Sequence, residues 1–297
     1  MKTLPIIEQH IHGAYGIDFN KAGVNEIVGL TEKLRQDGVG GIFPTLVTDT
    51  FENTKRQINV IKEASKKTSS ILGIHLEGIF LNPEKKGIHN NKHFMDLTIE
   101  NYKKIEDDFI RIVTLAPELD KGLIGYLNTK GVKVQAGHCT GWLKDKNSGV
   151  INGLTHTFNA MTGITHRGTS TALSGLLDDN IYAEVIADGI HVSDDAFRLL
   201  TRVKPADKIM LVSDAIPITH SNIKEAYFAD SKIFFDGKRA CSAEGTLAGS
   251  TNLISDMVKR LGKLGLFSTQ YIKNVYDYHN IEPKGEIEWD SNFNIVT

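Results

Sequence analysis

The chain has 297 residues, with 34 Lys and Arg against 36 Asp and Glu, a net charge of −2. That balance leaves no cationic surplus for a nucleic-acid backbone or an anionic membrane surface, so neither is expected as a partner. A hydrophobic share of 40% and a charged share of 24% describe a soluble globular protein able to bury a full core.

Two cysteines, Cys139 and Cys241, exclude a disulfide framework and a Cys-rich zinc site, and fit a reducing cytoplasm. The acid and proline among residues 1–8 argue against a signal peptide, and no segment runs apolar long enough to span a bilayer. In chain order, β-rich runs are predicted at residues 4–12, 41–46, 70–77, 110–115, 132–138, 153–159, 181–188 and 208–214. Helix-periodic stretches separate them, at 24–34, 54–64, 98–105, 122–130 and 194–200, with Gly38 and Gly131 as stop signals. Eight strands alternating with helices predict a parallel sheet closed as a TIM-like (β/α)8 barrel, with residues 1–297 as a single domain. An open doubly wound sheet is the alternative. After the eighth strand, Asp236-Gly237 marks a β-hairpin excursion over 224–245. Ser250 or Thr251 then caps a helix to about residue 264, a short helix follows at 270–278, and a short C-terminal extension ends the chain.

The C-terminal ends of barrel strands are where such folds build active sites, and five of the eleven histidines fall there. His10 and His12, two apart on a strand, point to one side and can grip one cation. Glu77 ends an apolar strand, where an ionised carboxylate without a partner costs several kcal/mol. His138, His156 and Asp214 stand at the same level of later strands. Imidazoles mixed with carboxylates suit zinc, with iron or manganese next, better than calcium. Such an ion acidifies water and polarises a carbonyl, so metal-assisted hydrolysis is the expected chemistry. His75, deeper in its strand, is expected to be packed and hydrogen-bonded. His93, His220 and His279 are expected in solvent, and Cys139 is expected to be structural. A second group lacks metal character: Lys85-Lys86-Gly87-Ile88-His89, Asn159-Ala160 with Arg167, and Asp188-Gly189-Ile190-His191. Arginine, histidine and backbone N–H groups together can hold an anionic group such as a phosphate.

These residues fall in motifs that resemble a known family. Gly73-Ile74-His75-Leu76-Glu77-Gly78, Lys85-Lys86-Gly87-Ile88-His89, Ala136-Gly137-His138, Thr155-His156-Thr157-Phe158-Asn159-Ala160-Met161, Ile186-Ala187-Asp188-Gly189-Ile190-His191, Leu211-Val212-Ser213-Asp214-Ala215 and Gly245-Thr246-Leu247-Ala248-Gly249-Ser250 occur in order. They are similar to the motifs of the N-acetylglucosamine-6-phosphate deacetylases of the amidohydrolase superfamily, over about residues 6–264.

The resemblance implies that Glu77, His138 and His156 hold the main metal, that Asp214 is the acid/base, and that His89 polarises the acetyl carbonyl. It implies sugar-phosphate contacts from Asn159, Ala160, Arg167 and His191, beside the 188–190 turn, and a pocket wall from Ile88 and Leu247-Ala248-Gly249. His10 and His12 match positions that hold a second ion in some members, so one or two divalent ions per chain are implied. The implied partner is an amino-sugar phosphate, and the implied assembly is a homodimer in which Arg167 reaches the neighbouring site. Departures from the pattern are Ile79 in place of a proline, and Gly168 and Thr169 in place of an acidic residue and a proline. The family's N-terminal segment, which joins the C-terminal tail in a β-sandwich, has little counterpart here, so that sandwich is expected to be missing or vestigial. Two alternatives accompany deacetylation of N-acetylglucosamine 6-phosphate. One is deacetylation of the galactosamine isomer, or another amide hydrolysis of the superfamily; the other is a non-catalytic barrel that binds a sugar phosphate.

Overall fold

The computed structural model describes residues 1–141, 148–168 and 170–296, so Thr169 lies outside the described residues. Eight parallel strands form one sheet in chain order: β1 (Ile6–Ile11), β2 (Val39–Val47), β3 (Ile74–Glu77), β4 (Ile110–Leu115), β5 (Lys133–Ala136), β6 (Gly153–Leu154), β7 (Tyr182–Val185) and β8 (Ile209–Leu211). The sheet curls until its edges meet. Asp214 N–H donates to His10 O at 2.9 Å and His12 N–H to Ala215 O at 2.8 Å, just past the end of β8. This arrangement is consistent with the expected TIM-like barrel and not with an open sheet.

Helices α1 (Val24–Gln36), α2 (Phe51–Ser65), α3 (Ile99–Lys103), α4 (Leu123–Thr129), α5 (Thr171–Leu177), α6 (Asp194–Val203), α7 (Ile254–Lys263) and α8 (Gln270–His279) accompany the strands. Their apolar stripes face the sheet: Ile27, Leu30 and Leu34 of α1 pack in the main core with Leu46, Leu76 and Val113 of the strands. A second apolar set joins Ile7, Phe43, Ile112 and Met210 to Val275, Tyr276 and Tyr278 of α8. These residues come from strands on opposite sides of the sheet, so they fill its interior, with α8 as the floor. Asn274 donates to Ala206 O and Ile209 O at the start of β8, and Tyr276 OH donates to Pro5 O just before β1.

Several boundaries differ from expectation. The run expected over 153–159 is a strand only at Gly153–Leu154, because His156, Phe158 and Ala160 take left-handed φ values of 31°, 79° and 47° that end the ladder. Ser250 and Thr251 do not cap α7. Its cap is Leu253, whose N–H donates to Asp256 at 2.9 Å, while Ser250 Oγ accepts from Asn252 N–H and donates to Asp188. The excursion is a three-stranded antiparallel sheet of Glu225–Phe228, Ser231–Phe235 and Ala240–Ser242. The chain ends form a further small sheet from Lys2–Thr3, Ile287–Trp289 and Ile295–Val296; no larger sandwich accompanies it among the described residues.

Lys204, just after α6, is buried to 2% exposure and donates Nζ to Gly175 O at 2.8 Å and to Asp178 O, closing the C-terminal end of α5. Lys204→Met keeps the apolar stem but removes these bonds. It is expected to cost about 1–3 kcal/mol for the acceptors left behind, read as a lower urea midpoint at unchanged slope.

Candidate metal centre and substrate cavity

Glu77 ends β3 with both carboxylate oxygens inside a cage of imidazoles. Oε1 lies 2.9 Å from His156 Nε2 and 3.3 Å from His138 Nε2, which are themselves 3.1 Å apart. Oε2 lies 3.0 Å from His12 Nε2 and 3.4 Å from His10 Nε2, themselves 3.3 Å apart, and Asp214 Oδ1 stands 3.1 and 3.5 Å from the same two nitrogens. Donors 2.0–2.1 Å from a tetrahedral ion are separated by about 3.3 Å, so both groups have the spacing of ligands around one centre. The carboxylate of Glu77 is common to both.

The outer ring nitrogens fix the tautomers. His138 Nδ1 donates to Lys85 O at 2.8 Å, His12 Nδ1 to Thr45 O at 3.2 Å, and His10 Nδ1 to Glu184 at 3.1 Å. A carbonyl accepts only from a protonated Nδ1, so in the neutral ring the Nε2 lone pair faces Glu77. Burial opposes charge throughout, but the carboxylates prevail: His12 is raised to about 9 by Asp214 and Glu77, and His10 is raised well above its usual value by Glu77 and Asp214. Against burial, the same imidazoles hold Asp214 down to about 2 and Glu77 well below the carboxylate range. Two buried carboxylates thus draw positive charge into the cage, as a site for a divalent cation must. The residues present fit such an ion in donor type, spacing and charge.

The backbone that aims these groups is unusual. His138, His156 and Asp214 have φ values of 49°, 31° and 50°, a left-handed turn at the strand end that non-glycine residues adopt at a cost of about 1–2 kcal/mol. Gly78 answers a different need, since a Cβ there would lie 2.4 Å from Thr48 N. That close approach lets Thr48 Oγ1 accept from Ile79 N–H at 3.1 Å and meet His89 Nδ1 at 2.9 Å. The backbone N–H of Thr48 donates to Nδ1 at 3.4 Å, so Nδ1 is an acceptor, the hydroxyl donates to it as well, and the proton of His89 stays on Nε2, 3.5 Å from Glu77. Burial pushes His89 down to about 4, so it is a neutral N–H donor.

A cavity of about 300 Å³ opens over the cage. Of the residues singled out in the sequence, His12, Glu77, Ile88, His89, His138, His156, Asn159, Ala160, His191, Asp214, Leu247 and Gly249 line it. His10 is fully buried behind the wall. Asp188 does not line it; it accepts from Ile190 N–H and His191 N–H at 2.8 Å and from His191 Nδ1, so the turn through Gly189 and Ile190 holds His191 toward the cavity. Burial opposes a charge on His191, but the Asp188 carboxylate raises its pKa, which suits contact with an anion. Ala248 is buried beside the wall, and Arg167 is exposed and apart from it. Lys85 and Gly87 of the 85–89 run line it too, as do Glu84, Phe228 and Thr246, which the sequence did not single out as site residues. Phe228 comes from the excursion and packs edge-on to His12 at 5.3 Å, a contact across 216 residues with no local signal.

The remaining histidines divide. His75 is buried and bonded to Thr114 Oγ1 and Gln9 O, as expected. His279 is not in solvent: it stacks on Phe43 at 4.4 Å and donates to Gln9 at 2.9 Å, because α8 forms the barrel floor. His220 is paired with Asp256 at 2.7 Å and His93 lies 3.5 Å from Asp230. Burial raises the Cys139 thiol to about 12, which makes it inert.

No family model matches the chain. It is 28% identical over 284 residues to N-acetylglucosamine-6-phosphate deacetylase of Bacillus subtilis (strain 168), covering 91% of this chain and 72% of that one. It is 32% identical over 269 residues to the deacetylase of the same name from Bos taurus, covering 82% and 64%. N-acetylgalactosamine-6-phosphate deacetylase of Escherichia coli O157:H7 is 28% identical over 269 residues, covering 87% and 71%. Among solved structures, N-acetylglucosamine-6-phosphate deacetylase from Thermotoga maritima superimposes with a TM-score of 0.89 at 27% identity, over 99% of this chain and 86% of that one.

Proposed function

We propose that this chain, which belongs to the N-acetylglucosamine-6-phosphate deacetylase family of amidohydrolases, hydrolyses N-acetylglucosamine 6-phosphate to glucosamine 6-phosphate and acetate. The observation that carries the reading is one carboxylate, Glu77, with imidazole nitrogens at both oxygens and Asp214 within 3.5 Å of two of them, under one cavity. Glu77, His138 and His156 would hold one divalent ion and His10, His12 and Glu77 a second, with Asp214 beside them left for the proton; the donor set suits zinc, with iron and manganese as alternatives. When bound, a divalent ion supplies Lewis acidity to the water and the amide carbonyl.

The chain's own groups do the rest. Asp214 accepts the proton of the attacking water as its oxygen adds to the acetyl carbon, then returns it to the amine nitrogen as the C–N bond breaks. His89 donates its Nε2–H to the carbonyl oxygen as charge builds there, and its neutrality lets it do so without a prior proton transfer. His191, Asn159 and the Ala160 backbone meet the sugar phosphate, while Ile88, Leu247 and Phe228 give the wall an apolar side. Arg167, exposed and off the wall of its own cavity, serves the neighbouring subunit of a homodimer, which is the working form in the cytoplasm. Among the described residues no helix is long and apolar enough to cross a membrane.

Acetate release tests the reading. Turnover is expected on N-acetylglucosamine 6-phosphate, less on the galactosamine isomer and little on either unphosphorylated sugar. Binding without acetate would favour the non-catalytic alternative, and preference for the galactosamine isomer would replace the substrate. Arg167→Ala is expected to raise KM for the phosphorylated sugar about 10- to 100-fold, the worth of a charge-assisted pair, with little change on the plain sugar. Mixing this variant with Asp214→Asn restores activity only if Arg167 acts across the dimer. Equal losses on both sugars would remove the phosphate assignment.

A further inference from the structure

We propose that Glu184 is the positioning residue that fixes His10 as a metal ligand, by holding the proton of His10 on Nδ1 and the Nε2 lone pair toward Glu77. The proposal rests on the deacetylase reading and deepens it.

Glu184 lies within β7, wholly buried and absent from the cavity wall, so it meets no substrate. A carboxylate in such a place is retained only if its oxygens are bonded, and each is. Oε1 accepts from Gln9 Nε2 at 2.6 Å; Oε2 accepts from His10 Nδ1 at 3.1 Å and from the backbone N–H of His156 at 3.2 Å. The polarity of this chain is set from the barrel floor. His279 Nε2 donates to Gln9 Oε1 at 2.9 Å, which leaves only the amide NH2 of Gln9 to face Glu184. His279 is itself held by stacking on Phe43.

The consequence falls on the other side of the His10 ring. Its Nε2 stands among His12 Nε2, Glu77 Oε2 and Asp214 Oδ1 at 3.3, 3.4 and 3.5 Å. If the ring carried its proton on Nε2, it would donate into that group and have no lone pair to offer. His12 and His138 have their Nδ1 protons fixed by main-chain carbonyls; His10 depends on a side chain. Glu184 touches the ring of one ligand and only the peptide of another, His156, so its removal acts unequally on the two clusters.

Titration of metal-free protein with Co²⁺ against a competing chelator tests this in the wild type, Glu184→Gln and Gln9→Met, with His12→Ala identifying the equivalent that belongs to the His10 cluster. In Glu184→Gln that equivalent is expected to bind about 10- to 100-fold more weakly, while the other moves by less than about threefold. Gln9→Met, which leaves the carboxylate but frees it, moves the same equivalent in the same direction by less. A role in scaffolding alone would weaken both equivalents alike or neither, and either result overturns the proposal. Should Glu184→Gln fail to fold by circular dichroism, Gln9→Met decides, and an unchanged His10-cluster equivalent overturns it. A wild type that takes up one ion, with His12→Ala unchanged, defeats the two-ion reading and the proposal with it, and does so before any Glu184 variant is read.

Discussion

Asp214→Asn is expected to lower kcat by about two to four decades, the scale of general acid/base catalysis, while the protein folds and retains most of its metal. The substitution preserves shape and removes the ability to accept a proton at Oδ1, the atom 3.1 Å from His12 Nε2. It also spares the backbone. Asp214 has a φ of 50°, and asparagine is among the residues that enter this left-handed region most readily. A loss in rate therefore reads as chemistry, provided that circular dichroism and metal content stay near the wild type. Turnover close to normal would transfer the proton to another group and take Asp214 out of the mechanism.

Glu77→Gln is expected to be as severe by a different route. One carboxylate oxygen faces His138 and His156 and the other faces His10 and His12, so a single amide weakens both ion sites. The amide nitrogen also presents hydrogens to one of the imidazole pairs, where an acceptor stood. Metal affinity should fall by more than the roughly 10- to 100-fold attached to outer partners of a ligand, and acetate release should fall with it. Excess Zn²⁺ should restore part of the activity. Full activity with a full complement of metal would show that Glu77 is a structural ion-pair partner of the histidines.

The strands were legible because an inner strand is covered on both faces and reads as an apolar run between turns. The cage was legible for a related reason: Glu77, His138, His156 and Asp214 interrupt or end such runs at one level. The same argument applies to Glu184, a carboxylate in the buried run Tyr182–Val185, and that was the signal available for it. Gln9, Thr48 and His279 carried none, since a glutamine or threonine in a strand and a histidine at a helix end have many ordinary uses. Their roles arise from contacts such as His279 with Gln9, 270 residues apart. The end of β6 is not legible in the sequence, because the left-handed φ values at His156 and Phe158 are ones that neither residue favours locally. The small sheet at the chain ends pairs Lys2 with Glu288, a partnership no window along the sequence contains.

The floor of the barrel bears on how the protein is made. Chains leave the ribosome from the N-terminus, and β1, which brings His10 and His12, emerges first. Its partners arrive late: β8, which closes the ring beside it, ends at Leu211, and α8, which ties Pro5, Ile209 and Gln9 together, ends at His279. Until that helix has cleared the exit tunnel and docked, Gln9 has no His279 to orient it and the ring stands open along one seam. The earliest residues of the site are thus the last to be set: His10 and His12 leave the ribosome well before the helix that orders the strand carrying them.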